Sequence, residues 1–444
     1  MLCRPPVTFK LPHPFVLLLS SVAVAVVLTW IVPAGRYRRH IDAATKREVV
    51  VPGTYARVPA TPVGPMAAIM TVPRGIVAGA DVILTVLFVG GAFALLDATG
   101  ALARLVGSLI GWTRQPQLVV VIVSLSFATL GALENMHEEI IALVPVLLVL
   151  SRGLGFGAIT ALAMSVGAAV VGAAFGPTNP FQTGIALRFA GMPGLSLPAL
   201  RFGLLAAAVA VWIMWTLAMT SRDDVRPETT VAADKATARD VVLFATVLIP
   251  FVPYVIGVLR YDWGFNELSA LFLVAGFTVG LVARRSLSDT AIGFLKGMEG
   301  MLAAGLFIGV ARGISIALAD GQVLDTILYA LAAPLAHVPG VVAVTLMVPI
   351  HVLLSVPVPS VSGHAVLTMP IMAPLADLVG RSRDAAVIAY QTGAGLTDMI
   401  TPTNGALLAM LLSARVTYDR WLRFAVPGVL LVALVGFAGI LLAR

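Results

Sequence analysis

The densest group of reactive side chains in this chain is Glu134-Asn135-Met136-His137-Glu138-Glu139, set between an apolar run at 116–133 and another ending at 150. Carboxylates and an imidazole at membrane depth can bind a cation, carry a proton or hold a substrate ammonium. The alternative is a tip that reaches water and carries solvated loop residues. Glu138 and Glu139 are adjacent, so they point differently and need not share a role. A second group, Pro357-Val358-Pro359-Ser360-Val361-Ser362-Gly363-His364, is neutral and hydroxyl-rich. Ser360, Ser362 and Gly363 offer hydroxyls and amides suited to carboxylate oxygens at a half-helix N-terminus, or form a plain turn.

The third constellation is a repeated triplet, Pro177-Thr178-Asn179 and Pro402-Thr403-Asn404, each interrupting an apolar segment. Proline removes a backbone donor and clashes with the preceding turn, so the helix breaks there. Within a bilayer such a break is tolerated only where protein groups or a cavity satisfy the freed amides and carbonyls. Thr178, Asn179, Thr403 and Asn404 can cap the broken ends or coordinate a cation through oxygen. Asp398 is a coupling acid or a capping group. Arg312, inside an apolar run, can clamp a substrate carboxylate bidentately or pair with Glu299 or Asp320.

Other chemistries lack their motifs. A zinc-protease motif from His137 requires a second His at 141, where the chain has Ile. A serine-hydrolase elbow requires Gly two residues on either side of the Ser, and Ser360 stands two before Ser362. An enzyme built on His364, Ser362 or the His137 cluster is therefore a remote reading. There is no phosphate-binding loop for ATP. The one cysteine, Cys3, supports neither a disulfide framework nor a thiolate metal site.

The elements that must position these residues are membrane spans. Of 444 residues, 59% are hydrophobic and 11% charged, and mean hydropathy is +0.99; soluble chains carry about 25% charged residues. The formal charge of +7 belongs at loop ends near anionic lipid and gives no argument for nucleic acid. A span needs roughly 20 apolar residues. Spans are expected near 14–33 (uncleaved), 80–98, 199–219, 241–259, 267–283, 297–317 and 421–443. A polar segment is expected at 36–75, an interfacial helix at 99–113 and an amphipathic piece at 322–336.

The tip residues fall in two expected re-entrant hairpins, about 116–151 and 340–380, and the triplets in two broken helices, about 157–188 and 384–416. Residues 221–240 read as a charged cytoplasmic linker between a first repeat, 1–220, and a segment 241–444 that holds a connecting span and the second repeat. Thr403 minus Thr178 gives an offset of 225; at that offset Pro370 falls on Pro145, and Pro359–His364 on Glu134–Glu139. With the N-terminus cytoplasmic, the hairpins enter from opposite faces, as an inverted repeat demands. That placement puts 15 of the 29 Lys and Arg inside and 13 outside, or 15 against 6 once 34–75 is set aside. Breaks at matching places in two halves point to a transporter binding site.

At these residues the chain resembles the YfcC-like branch of the C4-dicarboxylate anaerobic carrier (DcuC-type) family, within the ion transporter superfamily. The matching stretches are Ile31–Tyr37, Met136–Ile140, Gly176–Gly184, Ala311–Ile314, Pro359–Ala365, Met369–Gly380 and Ile400–Asn404. The resemblance implies an all-α secondary carrier with inverted repeats, each holding a re-entrant hairpin and a broken helix around a central site, and a homodimer in the bacterial cytoplasmic membrane. It leaves the substrate open among C4-dicarboxylates, short-chain organic acids and basic amino acids. Where relatives read Gly-Asp-Gly, this chain has Gly393-Ala394-Gly395; Asp398 is the candidate replacement for that acid.

The expectation is an ion-coupled symporter or exchanger of small carboxylate-bearing solutes, not an enzyme and without a cofactor. Na+ or H+ is the expected coupling ion, at Glu138, Asn179, Asp398 and Asn404. Substrate is expected at Glu134, Glu138, Glu139, Thr178, Asn179, Ser360, Ser362, Gly363, Thr403 and Asn404, with Arg312 as clamp. The acidic first tip and neutral second tip favour an amino acid of the basic amino acid antiporter type, with a C4-dicarboxylate or short-chain organic acid as the alternative. A channel is disfavoured because hairpins from opposite faces block a continuous pore.

Overall fold

The computed structural model describes residues 12–41, 48–112, 115–219, 235–261 and 263–443. Cys3 and most of the 221–240 linker lie outside the described residues. The described residues are helical, with connecting turns and two short antiparallel strand pairs, Gly35–Arg36 with Ala56–Arg57 and Arg39–Ile41 with Glu48–Val50. Among the described residues, nine helical segments are long and apolar enough to cross a membrane. These helices carry apolar residues on all sides, as segments that face lipid and other helices must. The protein is an integral membrane protein.

The described residues of the 36–75 segment are tied to the rest of the fold. Arg39 Nη2 reaches Asp325 Oδ1 at 2.8 Å and the Tyr37 amide donates to Asp325 Oδ2 at 2.9 Å. Tyr55 stacks on Tyr329 with ring centroids 4.2 Å apart. From residue 65 the segment is already helix, Pro65–Ala78. The expected span at 241–259 is instead two short helices, Ala238–Leu248 and Phe251–Tyr261, with Pro250 in the turn where it withholds a donor. The span expected at 297–317 extends to Leu287–Asp320, 34 residues.

Two helical hairpins are present. The first joins Pro116–Glu134 to Ile140–Gly153; Asn135 adopts a left-handed conformation, φ 60°, and its amide closes on the Gly131 carbonyl at 2.9 Å. The second joins Gly340–Ser355 to Val361–Leu378, with Ser360 Oγ accepting from the Gly363 amide at 3.3 Å.

Both triplets interrupt helices, and the interruptions are capped. The first helical stretch runs from Ala158 to Phe175, breaks at 176–179 and resumes as a π-turn, Pro180–Gly184, then Ile185–Phe189. The second runs from Arg383 to Tyr390, passes through a π-turn, Gln391–Gly395, breaks at 398–404 and resumes at Gly405–Ser413. The first is buried over 89% of its apolar stretch, against 22% for Pro14–Ile31, so the broken helix is central and the amino-terminal helix peripheral.

Close approach depends on glycine at several places, among them two in the broken helices. A Cβ on Gly172 would run into the Ala128 carbonyl of the first hairpin, and one on Gly405 would lie 2.6 Å from the Phe307 carbonyl of the long helix. Neither contact admits a side chain, so backbone packs on backbone.

Candidate functional site

The freed backbone groups at the breaks are satisfied by side chains at named positions. Asn179, fully buried, accepts from the Phe181 and Gln182 amides at 2.9 and 2.7 Å and donates to the Gly131 carbonyl at 2.8 Å. Asn404 accepts from the Leu407 amide at 3.1 Å and donates to the Asp398 carbonyl at 3.0 Å. Both asparagines are N-caps, supplying the acceptor that the first amides of a resuming helix lack. The carbonyls are met too: Gly176 by Thr183 Oγ1 at 2.6 Å, Ala174 by Gln391 Nε2 at 2.7 Å, and Met399 by Trp421 Nε1 at 2.7 Å.

Beside the second break lies a cavity of about 570 Å³. Its walls come from both hairpin tips, the second break, Phe181 just past the first break, the long helix, the start of Ala80–Asp97, Tyr254 of Phe251–Tyr261 and the 263–266 segment. Among the described residues its charged lining is four acids, Asp81, Glu138, Glu139 and Asp398, and one arginine, Arg312. An apolar cleft of about 690 Å³ between the Pro198–Met219 and Tyr418–Leu442 helices has only Ala, Gly, Leu and Val at its walls. It offers a charged solute no partner.

The acids are held differently. Glu139 is buried and accepts from the His137 amide at 3.0 Å within its own turn. Asp81 Oδ1 accepts from the Val82 amide at 2.9 Å at the start of its helix. Glu138 and Asp398 are partly exposed to the cavity and are electrostatic neighbours. Among the described residues neither carboxylate receives a hydrogen bond, which leaves both for a cation.

Arg312 Nη1 donates to the Ala78 carbonyl at 2.8 Å, and its side chain is exposed. The pairing with Glu299 or Asp320 raised by the sequence is not made: Asp320 is bound bidentately by Arg74. The guanidinium therefore keeps donors for a ligand.

The cavity brings together Glu138, Glu139, Ser360, Ser362, Asp398, Thr403, Asn404 and Arg312. It does not include Thr178, which is exposed elsewhere, nor Asn179 or Gly363. Asn179 has its side-chain oxygen engaged in capping and its side-chain nitrogen on the Gly131 carbonyl, and Gly363 gives its amide to Ser360. The Glu134 side chain lies outside the described residues. Ala394 is buried in the π-turn and outside the lining, whereas Asp398 faces the cavity. Sequence reading missed Asp81, Tyr254, Trp263, Asn266 and Ser315. Only Asp81 carried a signal, an acid opening an apolar span.

The solved structures similar to this chain include the YdaH transporter of Alcanivorax borkumensis, at TM-score 0.47 and 17% identity over 97% of this chain and 98% of that one. MtrF of Neisseria gonorrhoeae aligns at TM-score 0.44 and 14% identity over 97% and 94%. Among curated relatives, a protein of Escherichia coli K12 named putative basic amino acid antiporter YfcC is 28% identical over 92% of this chain and 90% of its own. An uncharacterised protein of Haemophilus influenzae is 27% identical over 97% and 96%. The family described as C4-dicarboxylate anaerobic carrier matches residues 11–444. With that match across both hairpins, both breaks and the cavity between them, the chain belongs to the C4-dicarboxylate anaerobic carrier family.

Proposed function

We propose that this membrane carrier exchanges basic amino acids, with the cavity beside the second break as its substrate site. The observation that carries the reading is the charge of the lining: four carboxylates against one guanidinium among the described residues. A basic amino acid brings two cationic groups and one carboxylate. Its carboxylate would meet Arg312, and its cationic groups Glu138 and Asp398, the two acids without hydrogen-bond partners. Ser360, Ser362, Thr403 and Asn404 contribute neutral polar lining. The name of the Escherichia coli relative agrees with this reading.

The family description favours a C4-dicarboxylate as the second reading. Two substrate carboxylates beside Glu138 and Asp398 repel them unless those acids are protonated or cation-bound. Uptake and counterflow in proteoliposomes separate the two, with arginine, lysine, aspartate, fumarate and succinate tested with and without a sodium or proton gradient. Arginine or lysine counterflow is expected; fumarate exchange with no amino acid transport overturns the assignment.

The remaining parts of the reading are carried by sequence. The 225-residue offset and the shared N-cap role of Asn179 and Asn404 support inverted repeats. The Lys and Arg distribution supports a cytoplasmic N-terminus in a bacterial inner membrane, and the resemblance supports a homodimer. Na+ or H+ is the proposed coupling ion, with no other cofactor and no catalysis.

A further inference from the structure

The second hairpin contains a pair of histidines that the substrate cavity does not use. His351, on Gly340–Ser355, and His364, on Val361–Leu378, are buried, with His351 Nδ1 2.9 Å from His364 Nε2. The donors can be assigned by elimination. Ser355 Oγ spends its hydrogen on the His351 carbonyl at 2.8 Å, so towards His364 Nδ1, 3.4 Å away, it can only accept. His364 Nδ1 therefore carries a hydrogen, and His364 Nε2 accepts from His351 Nδ1. This leaves the lone pair of His351 Nε2 buried with no partner.

The pair lies directly behind the cavity wall. It ties the two legs together just below the tip, whose residues Pro359–Ser362 line the cavity. Tyr390 of the second broken helix packs on both rings, with centroids 5.5 and 5.6 Å away, and its hydroxyl donates to the Val361 carbonyl at 2.8 Å. Hairpin tip and broken helix thus meet across the two imidazoles.

We propose that the His351–His364 pair is a proton-binding site whose occupancy releases the second hairpin tip from the broken helix. A proton from water forms an N–H bond at His351 Nε2, making one imidazolium, while Nδ1–H still donates to His364. Nothing is oxidised or reduced. Tyr390, from Arg383–Tyr390, is the titratable group that packs on the rings, and its hydroxyl feels the Asp398 carboxylate. Other charged groups on the elements packed around the hairpin are engaged elsewhere: Asp377 with Arg383, Asp384 with Arg201, Asp325 with Arg39 and Asp419 with Arg423. Arg188, Arg381, Arg420, Glu48 and His337 complete that set on those elements, while among the described residues the ring nitrogens hydrogen-bond to each other and to Ser355 Oγ. Among the described residues no carboxylate is hydrogen-bonded to the pair, so the added charge opposes the closed packing. By linkage, an open tip raises proton affinity by the same factor.

The test needs no substrate. In reconstituted protein carrying Cys3→Ser and Ser360→Cys, reaction with a water-soluble maleimide is followed from pH 5.5 to 8.5. Its rate is divided by that of a control thiol at Met66→Cys, an exposed position. The ratio is expected to rise at least threefold on acidification through a one-proton transition, and to flatten in His351→Gln and His364→Gln. A ratio that stays flat or falls overturns the proposal, as does a transition that survives in both variants. Ser355→Ala keeps both rings and removes the acceptor of His364 Nδ1. It is expected to move the midpoint, and an unmoved midpoint counts against the pair even if the glutamine variants fail to fold.

Discussion

At the level of single residues, the site separates side chains that hold the backbone from side chains left for a ligand. Asn179 makes three hydrogen bonds and Asn404 two. Losing an N-cap typically costs about 1 kcal/mol, and a buried donor or acceptor left unmet costs about 1–3 kcal/mol. Asn179→Ala should therefore lower thermal stability in detergent more than Asn404→Ala; the opposite order would show that the first break is held otherwise. Glu138 and Asp398 have no such duties. Glu138→Gln and Asp398→Asn are each expected to reduce arginine kcat/KM by tenfold or more with little change in melting temperature, a tenfold loss being about 1.4 kcal/mol. Arg312→Gln should mainly raise KM for arginine and spare agmatine, which lacks the carboxylate; equal losses for both would remove Arg312 from carboxylate binding.

Among the elements, glycine sets the distances. Gly172→Ala forces a methyl into the Ala128 carbonyl, and Gly405→Ala sets one 2.6 Å from the Phe307 carbonyl. Overpacking of this kind costs about 1–3 kcal/mol, and backbone, unlike a side chain, has little room to give. Both variants should melt earlier in detergent, while Gly203→Ala, with open space at its Cβ, should not. Outside the spans, Asp240 accepts from the Thr237 amide to close the capping box of Ala238–Leu248, and the Arg104 guanidinium hydrogen-bonded to it holds its carboxyl well below the usual carboxylate range. A depressed acid stabilises the fold above its unfolded pKa, near 4, and loses that contribution as pH falls below it. Removing the pair with Asp240→Asn should lower stability at pH 7 and weaken its decline on acidification, measured by melting in detergent between pH 3 and 7.

For the whole molecule, a buried polar chain joins the two broken helices. Arg201 gives Nη2 to Asp384 at 2.8 Å and Nη1 to Gln391 at 2.7 Å. Gln391 in turn donates to the Ala174 carbonyl and to Thr183 Oγ1 at 2.7 and 2.8 Å. The pair is desolvated, so removing one partner leaves an unmatched buried charge and costs about 3–5 kcal/mol. Arg201→Met is expected to destabilise strongly, and Arg201→Met with Asp384→Leu to recover much of the loss. A double variant no better than the single would locate the defect in packing rather than in charge.

By itself the sequence determined that the chain spans a membrane, that helices break near 178 and 403, and which acids stand close to those breaks. Those features are local: apolar run length, proline's missing donor and the cost of charge in lipid act within a few residues of each position. Tertiary structure decided the assignments. Thr178 and Asn179 look equivalent to Thr403 and Asn404, yet only the second pair reaches the cavity, because Asn179 is buried against the first hairpin at Gly131 and Thr178 is exposed away from the cavity. Asp81 and Arg312 lie far from the hairpin tips in the chain and meet them only where Ala80–Asp97 and the long helix pack at the cavity. His351 and His364 face each other because two legs fold in one register, and that register is set by contacts no stretch of sequence holds alone.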